Sequence, residues 1–349
     1  MFSRKKTNAA SRFAIDPGAF RTRFCSATKG LLLDQPSIAA LDMDHPAGGS
    51  KAVSTFGDQA EQVMIQGLDG LRSIQPVQSD QHNDLGLSAK MLSHFLNQAT
   101  RSGIIAKSPK VLLMLPHDCS TSKRAQLQLA CKQAGARSIE IQNAALAAFY
   151  STELEQSQPC IMIDFGATAS RMFAIADSEV VYHQNLPFGG DTLDQAIAAG
   201  LLERFSLYVS DKSAQEIKHR VAAATPQSFV QCTRNSCQVD CLAVKTNITT
   251  RFRVGSETVN DILKSTLDEF ANSIKSALAG IDESIQDSAY ETGIRICGGG
   301  ALLPRMDQLV IAATNLPVEV VKRPLNSNIR GAASTMAEAV PKIDLEYLV

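Results

Sequence analysis

Two apolar segments of this chain end in the same turn signal, an aspartate followed by one residue and a glycine. The first, residues 13–18, reads FAIDPG, and the second, residues 160–166, reads CIMIDFG. Runs of this length suit buried β-strands, and glycine permits the tight turn that follows. Two strands that each deliver an aspartate, Asp16 and Asp164, into a turn predict a duplicated architecture.

A third glycine-rich turn follows another strand-like run near the end of the sequence. Residues 293–297 are predicted as a strand that enters Gly298, Gly299 and Gly300, and residues 303–313 as the helix opened by that turn. Elsewhere strands and helices alternate, with helices predicted at 88–100, 122–134, 144–150, 192–203, 214–223 and 256–281, and strands at 111–115 and 139–141. This alternation is typical of α/β layers.

Length, charge and cysteine usage narrow the classes of function. At 349 residues and 44% hydrophobic, the chain exceeds what one core usually supports, so two core-bearing lobes are expected. Its 34 basic and 35 acidic residues create no field of one sign, so nucleic acid is not an expected partner. The most apolar run, residues 111–115, is far shorter than the ~20 residues of a membrane span. Eight cysteines without a recognisable secretory leader favour a cytoplasmic protein.

The three turns together indicate a site for a phosphorylated ligand. Ligands of open α/β sheets lie beyond the carboxyl ends of the strands, where these turns occur. A carboxylate pair, Asp16 and Asp164, suits a hydrated magnesium ion beside nucleotide phosphates, and Gly18 and Gly166 allow backbone amides to approach anionic oxygens. Each turn alone is more often only a turn. The order and spacing of all three favour a nucleotide pocket.

Several segments resemble the superfamily of actin, DnaK-type chaperones and sugar kinases, and within it the MreB family of bacterial actin-like proteins. The resemblance runs essentially from end to end and implies an actin-like (ribonuclease H-like) α/β fold of two lobes with a nucleotide cleft between them. The matching segments are residues 33–37 (LDQPS), 90–95 (KMLSHF), 133–137 (QAGAR), 188–194 (FGGDTLD), 216–219 (EIKH) and 297–303 (CGGGALL).

The resemblance also implies domain boundaries and site residues. It implies a basic tail at 1–10, lobe I at 11–150 with a small insert at about 38–74, lobe II at 151–319 with an insert at about 186–250, and a segment at 320–349 that returns to lobe I. The expected ligand is ATP with Mg²⁺ held, through water, by Asp16 and Asp164. The other expected contacts are Gly18, Ala19, Phe20 and Thr22 in a first phosphate loop, Gly166, Ala167 and Thr168 in a second, and Gly190, Asp191, Lys218, Gly298, Gly299, Gly300 and Ala301.

Four residues depart from the MreB pattern. Pro17 removes an amide donor from the first loop, and Phe20 adds bulk there. Thr168 stands where glycine is usual and is expected to resist a positive φ. Gln142 replaces the acid that would position the attacking water, although actin has glutamine at the matching place. Two hypotheses stay open: a nucleotide-binding protein that hydrolyses ATP slowly at most, through Gln142, or a degenerate paralogue that lost the nucleotide and modulates other filaments.

The resemblance further implies assembly and location. MreB proteins form filaments by self-association at the inner face of the cytoplasmic membrane and act in cell shape, so cell-shape and wall-synthesis proteins are the implied partners. Ile104 and Ile105, expected in a loop after Gly103, match the family's membrane-touching loop, and the tail with Arg4 to Lys6 would assist as an anchor. A buried loop turn and a disordered tail are the alternatives. A small-molecule kinase of the same fold is the competing class, but no added substrate domain is recognisable.

Overall fold

The computed structural model describes residues 10–42, 53–65, 70–77, 85–155, 157–225 and 236–337, with only the backbone at residues 64, 65, 85 and 337. The chain divides into two compact units, of which unit 1 comprises Met1–Leu154 and Asn326–Val349 and unit 2 comprises Glu155–Leu325. The predicted basic anchor at the N-terminus lies outside the described residues.

Unit 1 is built on a five-stranded sheet in the order β3-β2-β1-β7-β8. Its strands are β1 (Ala10–Pro17), β2 (Arg21–Ser26), β3 (Gly30–Pro36), β4 (Ala39–Asp42), β5 (Val53–Phe56), β6 (Leu71–Ile74), β7 (Ile105–Leu115) and β8 (Ser138–Asn143). Its helices are α1 (Gly57–Ile65), α2 (Leu85–Arg101), α3 (Thr121–Gln133), α4 (Ala144–Tyr150) and, after unit 2, α10 (Ser327–Ala337). β4, β5 and β6 form a separate small sheet.

Both faces of this sheet are covered, because successive side chains of a strand point to opposite faces. On one face, Phe13, Ile15 and Leu113 belong to a buried cluster that includes residues of α2 and α3. On the other face, Ala14 and Leu112 pack into a cluster with residues of α4 and α10. The apolar runs predicted as buried strands therefore lie in the middle of a three-layer unit.

Unit 2 repeats the same strand order, β11-β10-β9-β15-β16. Its strands are β9 (Cys160–Phe165), β10 (Ser170–Ala176), β11 (Glu179–Leu186), β12 (Leu207–Tyr208), β13 (Ser236–Ala243), β14 (Ile248–Gly255), β15 (Ile294–Cys297) and β16 (Val318–Val320). Its helices are α5 (Gly190–Phe205), α6 (Asp211–Val221), α7 (Ser256–Leu278), α8 (Glu283–Thr292) and α9 (Met306–Thr314). In each five-stranded sheet, the first three strands along the chain form an antiparallel meander. The other two, β7 and β8 in unit 1 and β15 and β16 in unit 2, run parallel to the first strand. The predicted duplication is confirmed.

One local prediction differs from the structure. The helix expected to begin at Leu303 is a 3-10 turn, Gly299–Leu302, followed by α9 from Met306. The turn is tighter because Gly298 and Gly300 pack against β9, as described below. None of the described helices is both long and apolar enough to span a membrane.

Candidate functional site

Asp16 and Asp164 occupy equivalent positions in the two units. Each is the last residue but one of the first strand of its sheet, and each is half-buried. Across the hairpin, Asp16 is paired in register with Arg23, and Asp164 with Arg171. The sequence carries this repeat as Asp-x-Gly followed by an arginine five residues after the glycine, a signal that motif reading had missed.

The turns after β1 and β9 are also equivalent. A Cβ atom on Gly18 would lie 2.7 Å from the carbonyl oxygen of Arg21, and one on Gly166 would overlap the carbonyl oxygen of Ala169. Neither glycine has a positive φ. Glycine is therefore required at both places, because the turn folds back on itself. Both turns keep this geometry although neighbouring residues depart from the MreB pattern.

Ser37 holds the first loop in place through hydrogen bonds. Its hydroxyl donates to the carbonyl oxygen of Gly18 at 2.7 Å and lies 2.9 Å from the hydroxyl of Thr22, while its amide donates to the carbonyl oxygen of Phe20 at 2.9 Å. Thr22 is 0% exposed. The Thr22 side chain therefore lies under the loop and is hydrogen-bonded there, and its contact with the nucleotide stays a prediction.

Arg21 and Arg23 are held by one carboxylate. Arg21 Nε donates to Asp34 Oδ1 at 2.5 Å, and Arg23 Nε lies 3.3 Å from Asp34 Oδ2. Arg21 also donates to the carbonyl oxygen of Asp34 at 3.0 Å. These ion pairs join β2 to β3, so both arginines fasten the strand that carries the first loop.

The second loop rests on the N-terminus of α5. The amide of Gly190 donates to the carbonyl oxygen of Gly166 at 3.1 Å, and that of Asp191 to the carbonyl oxygen of Ala167 at 2.8 Å. These two amides hold the loop. Thr168 is not among the residues with a positive φ, so its β-branched side chain creates no backbone conflict in this loop.

Lys218 completes this support. Its Nζ donates to the carbonyl oxygen of Gly190 at 2.9 Å and to Asp194 Oδ2 at 2.8 Å. Lys218 and Asp194 are buried residues, 8% and 7% exposed. The ammonium group of Lys218 is thus engaged inside unit 2, where it pins the start of α5 beneath the second loop. Its contact with adenosine stays a prediction, and Asp194 is the partner that sequence reasoning missed.

The carboxylates around Lys218 are hard to ionise. Burial, and next the charge of Asp194, raise the pKa of Asp191 to about 6. The pKa of Asp194 is also raised, because its burial outweighs the attraction of Lys218. Asp194 Oδ1 is buried without a hydrogen-bond partner among the described residues. The second loop therefore lies on closely spaced charged groups, and one carboxylate oxygen among them has no hydrogen-bond partner among the described residues.

Substitution of Asp191 by Asn is expected to raise the melting temperature at pH 7.5 and to change it little at pH 4.5. A carboxyl whose pKa is raised by folding stabilises the protein at low pH, and that contribution is lost as the pH rises through about 6. Asparagine stays neutral throughout. Asp211→Asn makes the same change from carboxylate to amide at an exposed aspartate of the same charge cluster. It therefore serves as the control for the chemical change itself. Equal shifts at both pH values for Asp191→Asn would contradict the assignment.

Two of the three glycines after β15 are needed by packing within unit 2. Gly298 has φ +80°, and a Cβ atom there would meet the carboxylate of Asp164 and lie 2.5 Å from the carbonyl oxygen of Phe165. A Cβ atom on Gly300 would lie 2.7 Å from Cβ of Phe165. These glycines let the turn pack directly on the end of β9, beside the second loop.

Gly299 differs from its neighbours. A Cβ atom there would meet only the flexible end of Leu325, at 3.3 Å, and Leu325 is 47% exposed. Ala301 is 6% exposed and belongs to the core of unit 2, so its methyl group faces inward. Of the three glycines, Gly299 is therefore the one that packing within unit 2 does not require.

At the carboxyl edge of the unit 1 sheet, hydrogen bonds hold the side-chain amide groups of Gln142 and Asn143 in place. The Gln142 side-chain oxygen accepts from the Thr335 hydroxyl at 3.3 Å. The Asn143 side-chain oxygen caps α4 by accepting from the amide of Ala145 at 2.9 Å, while its nitrogen lies 3.0 Å from His117 Nδ1. His117 and Asn143 were not predicted as site residues. The signal was their position at strand ends: Asn143 is the last residue of β8, and His117 follows the last residue of β7 by two positions.

Ile104 and Ile105 do not form the predicted exposed loop. Ile105 is the first residue of β7 and is 2% exposed, and Ile104 packs against the same core of unit 1. The amide of Ala10 bonds to the carbonyl oxygen of Ile104 at 3.0 Å. The loop prediction was wrong because β7 begins six residues earlier than residue 111, where hydrophobicity alone had set its start.

Two units with one strand order, each ending its first strand in the same aspartate turn, define an actin-like protein with a two-lobed α/β fold. Solved structures of that class share it: MreB5 of Spiroplasma citri bound to ADP has a TM-score of 0.83 at 18% identity, covering 95% of this chain and 98% of that one. The MamK double helical filament has a TM-score of 0.72 at 19% identity, covering 95% and 100%. A sequence profile of the MreB/Mbl protein family matches residues 10–343, and the chain belongs to that family.

Curated relatives agree with this assignment over nearly their whole lengths. The cell shape-determining protein MreB of Escherichia coli K12 is 26% identical over 325 residues, which covers 93% of this chain and 92% of the relative. The cell shape-determining protein Mbl of Bacillus subtilis is 22% identical over 319 residues, covering 91% and 93%. The family is thus one of cell shape-determining, actin-like proteins.

Proposed function

We propose that this chain is a cytoskeletal protein that binds ATP with Mg²⁺ and self-associates into filaments that act in bacterial cell shape. The observation that carries the nucleotide part is the turn kept in both units, with glycine required at positions 18 and 166 by close backbone contact. Two solved structures of one relative, MreB5 of Spiroplasma citri bound to ADP and to AMPPNP, support the same ligand class.

The residues present fit a magnesium nucleotide. Both strand ends offer a half-buried carboxylate, and oxygen ligands are what magnesium prefers. Neither departure that looked most damaging disrupts a loop: Thr168 has an ordinary backbone, and Phe20, at 41% exposed, does not pack into its own turn. Bound magnesium would neutralise charge on the phosphates. Asp16 and Asp164 would orient it through water, Ala19 and Ala167 would supply backbone, and Gln142 would orient a water.

Titration calorimetry with ATP and magnesium tests this proposal. We expect saturable binding by the parent, and a loss of about tenfold or more in affinity for Asp164→Asn, since a carboxylate that orients a metal–phosphate complex is replaced by a neutral amide. Gly299→Ala should fold normally and bind less tightly if its main chain meets the nucleotide. Electron microscopy of the same samples should reveal filaments. No heat at millimolar nucleotide would reject binding and favour the degenerate paralogue that modulates other filaments.

An exposed apolar corner of unit 2 is the surface we assign to self-association. It comprises the end of α5, the edge strand β12 and the β13–β14 turn. Its large exposed side chains are Leu202 (45% exposed), Phe205 (43%), Tyr208 (56%), Val244 (52%) and Ile248 (61%). The ring centroids of Phe205 and Phe252 are 5.2 Å apart, and the amide of Val244 donates to the carbonyl oxygen of Ser206 at 3.0 Å. Such a patch favours an interface, and a contact between unlike surfaces of two copies does not close and so forms filaments.

Ile248→Lys is expected to raise the critical concentration for assembly by about 10- to 100-fold, because burial of one isoleucine contributes about 1.5–3 kcal/mol. Pelleting of assembled protein over a concentration series measures it. Tyr290→Lys, which alters a side chain of α8 that is 63% exposed, should assemble like the parent. Equal critical concentrations for parent and Ile248→Lys would remove this corner from the interface.

We also propose peripheral attachment at the inner face of the cytoplasmic membrane, on the strength of the family and of the basic residues Arg4 to Lys6. Ile105 has no part in it, since it is buried. Flotation with anionic liposomes should fall when residues 1–9 are removed. Unchanged flotation would reject the tail as an anchor.

A further inference from the structure

The strand β14 forms an exposed edge of the three-stranded sheet of unit 2. It runs from Ile248 to Gly255 and pairs on one side with β13 in a continuous antiparallel register. The sheet order is β12-β13-β14, so among the described residues no strand pairs with the outer side of β14. Most of its residues are exposed. A long exposed edge is a template for a strand from another chain.

The two faces of β14 differ in chemistry, because successive side chains of a strand point to opposite faces. On one face Val254 is buried, and Phe252 packs against the same core cluster of unit 2. The other face carries Arg251 and Arg253, both of which are exposed. A partner strand for this edge therefore needs an apolar face and an acidic face.

Hydrogen bonds to β13 hold both arginines over the sheet. Arg251 Nε donates to Asp240 Oδ1 at 3.2 Å, and Arg253 Nε donates to Ser236 Oγ at 2.8 Å. Each bond uses one of the five donors of a guanidinium group. A second β14 is a poor partner for this edge, because pairing along its length sets arginine opposite arginine. A strand with acids at the same spacing is favoured.

Residues 342–349 of this chain have that pattern. They lie outside the described residues, and their sequence is KIDLEYLV. Asp344 and Glu346 alternate with Ile343, Leu345 and Tyr347, and such alternation is typical of a strand with one apolar face. The two acids have the same spacing as the two arginines of β14.

We propose that residues 342–349 of one copy of the chain add to β14 of a second copy as an antiparallel strand. In this register Glu346 lies opposite Arg251 and Asp344 opposite Arg253, and the whole length of β14 is paired. The pairs on the other face are Ile343 with Val254, Leu345 with Phe252, Tyr347 with Thr250 and Val349 with Ile248. A parallel strand that kept both ion pairs would set Pro341, which has no amide donor, against Ile248.

This contact deepens the self-association proposed above and rests on it. A segment of one copy that docks on unit 2 of the next joins unlike surfaces, so the contact does not close and extends an assembly. Main-chain hydrogen bonds along the edge supply affinity. The two ion pairs select the register, because a shift by one residue would exchange the acidic and apolar faces.

Two charge reversals in the full chain test the contact. The edge-reversed variant carries Arg251→Glu and Arg253→Glu, and the tail-reversed variant carries Asp344→Arg and Glu346→Arg. Each alone should raise the critical concentration for assembly about tenfold, since two attractive cross-strand pairs become repulsive. An equimolar mixture of the two should restore it, because each segment then meets an edge of opposite charge.

The matched control is Lys264→Glu with Lys275→Glu, which makes the same change of charge at two exposed residues of α7. It should assemble like the parent. A variant with all four changes of the edge and the tail should do so too. Recovery in that variant without recovery in the mixture would mean that the segment pairs within its own copy, and would overturn the proposal. An unchanged critical concentration in the edge-reversed or the tail-reversed variant would also overturn it.

A synthetic peptide of residues 340–349 measures the docking without assembly. Fluorescence anisotropy should show saturable binding to the tail-reversed variant, and binding about tenfold weaker to the variant with all four changes. No binding to the tail-reversed variant would overturn this inference and leave filament formation intact. If the parent forms no filaments, the proposed function falls, whereas the peptide and sedimentation velocity of the mixture still decide whether the segment docks on β14 of a second copy.

Discussion

Substitution of Lys218 by Met is expected to destabilise unit 2 by about 3–5 kcal/mol, the usual consequence of leaving one partner of a buried ion pair without the other. Lys218 and Asp194 are 2.8 Å apart, and both side chains are about nine-tenths buried. Without the ammonium group, Asp194 would have neither of its oxygens satisfied, because Oδ1 already has no partner among the described residues. Urea unfolding, monitored in the full chain, measures the loss.

The matched control is Arg204, which lies on α5, the helix that also carries Asp194. Arg204 and Asp261 form a pair at 3.3 Å whose side chains are 42% and 72% exposed, so Arg204→Met should cost less than about 1 kcal/mol. The double variant Lys218→Met with Asp194→Leu should recover much of the stability, since an apolar pair of similar volume replaces two buried charges. Equal unfolding midpoints for Lys218→Met and Arg204→Met would mean that the buried pair is not formed.

Lys218→Met should also weaken nucleotide binding. Lys218 bonds to the carbonyl oxygen of Gly190, whose amide in turn holds the second loop at Gly166. Loss of the first bond frees the start of α5 and with it the loop. We therefore regard Lys218 as a residue that positions the phosphate loop, in addition to any contact with adenosine.

Substitution of Gly331 by Ala is expected to destabilise unit 1 by about 2–4 kcal/mol, in the range of severe overpacking. A Cβ atom at Gly331 would overlap the carbonyl oxygen of Ala147 and lie 2.6 Å from its carbonyl carbon and 3.1 Å from the amide nitrogen of Ser151. The contact is backbone against backbone between α10 and α4, so no flexible side chain can move aside. Thermal and urea unfolding of the full chain measure the effect.

Helix propensity alone predicts the opposite sign, because alanine is favoured over glycine in a helix by about 1 kcal/mol. A rise in stability for Gly331→Ala would therefore disprove the close packing of α10 on α4. Gly299→Ala is the control for the same chemical change, since its added methyl would meet only a side-chain end. It should shift the unfolding midpoint little.

Local patterns predicted much of the fold and part of the site. The helix predicted at 144–150 is α4 with the same bounds, and both aspartate turns lie where the apolar runs end. These features depend on side-chain alternation and on turn chemistry, which neighbouring residues set between themselves. The start of β7 at Ile105 was misjudged because hydrophobicity alone does not mark where a strand begins.

The sequence by itself determined the two strand-end aspartates, the glycines after them, the two-lobed α/β class and the resemblance to the MreB family. Only the tertiary structure decided that Ser37 ties the first loop, that Lys218 pairs with Asp194, that Asn143 orients His117 and that Gly331 lets α10 pack on α4. The physical reason is range: a turn is specified within a few residues, whereas these contacts join residues up to 184 positions apart along the chain, as between Gly331 and Ala147. No local pattern can select such a partner before the layers have packed.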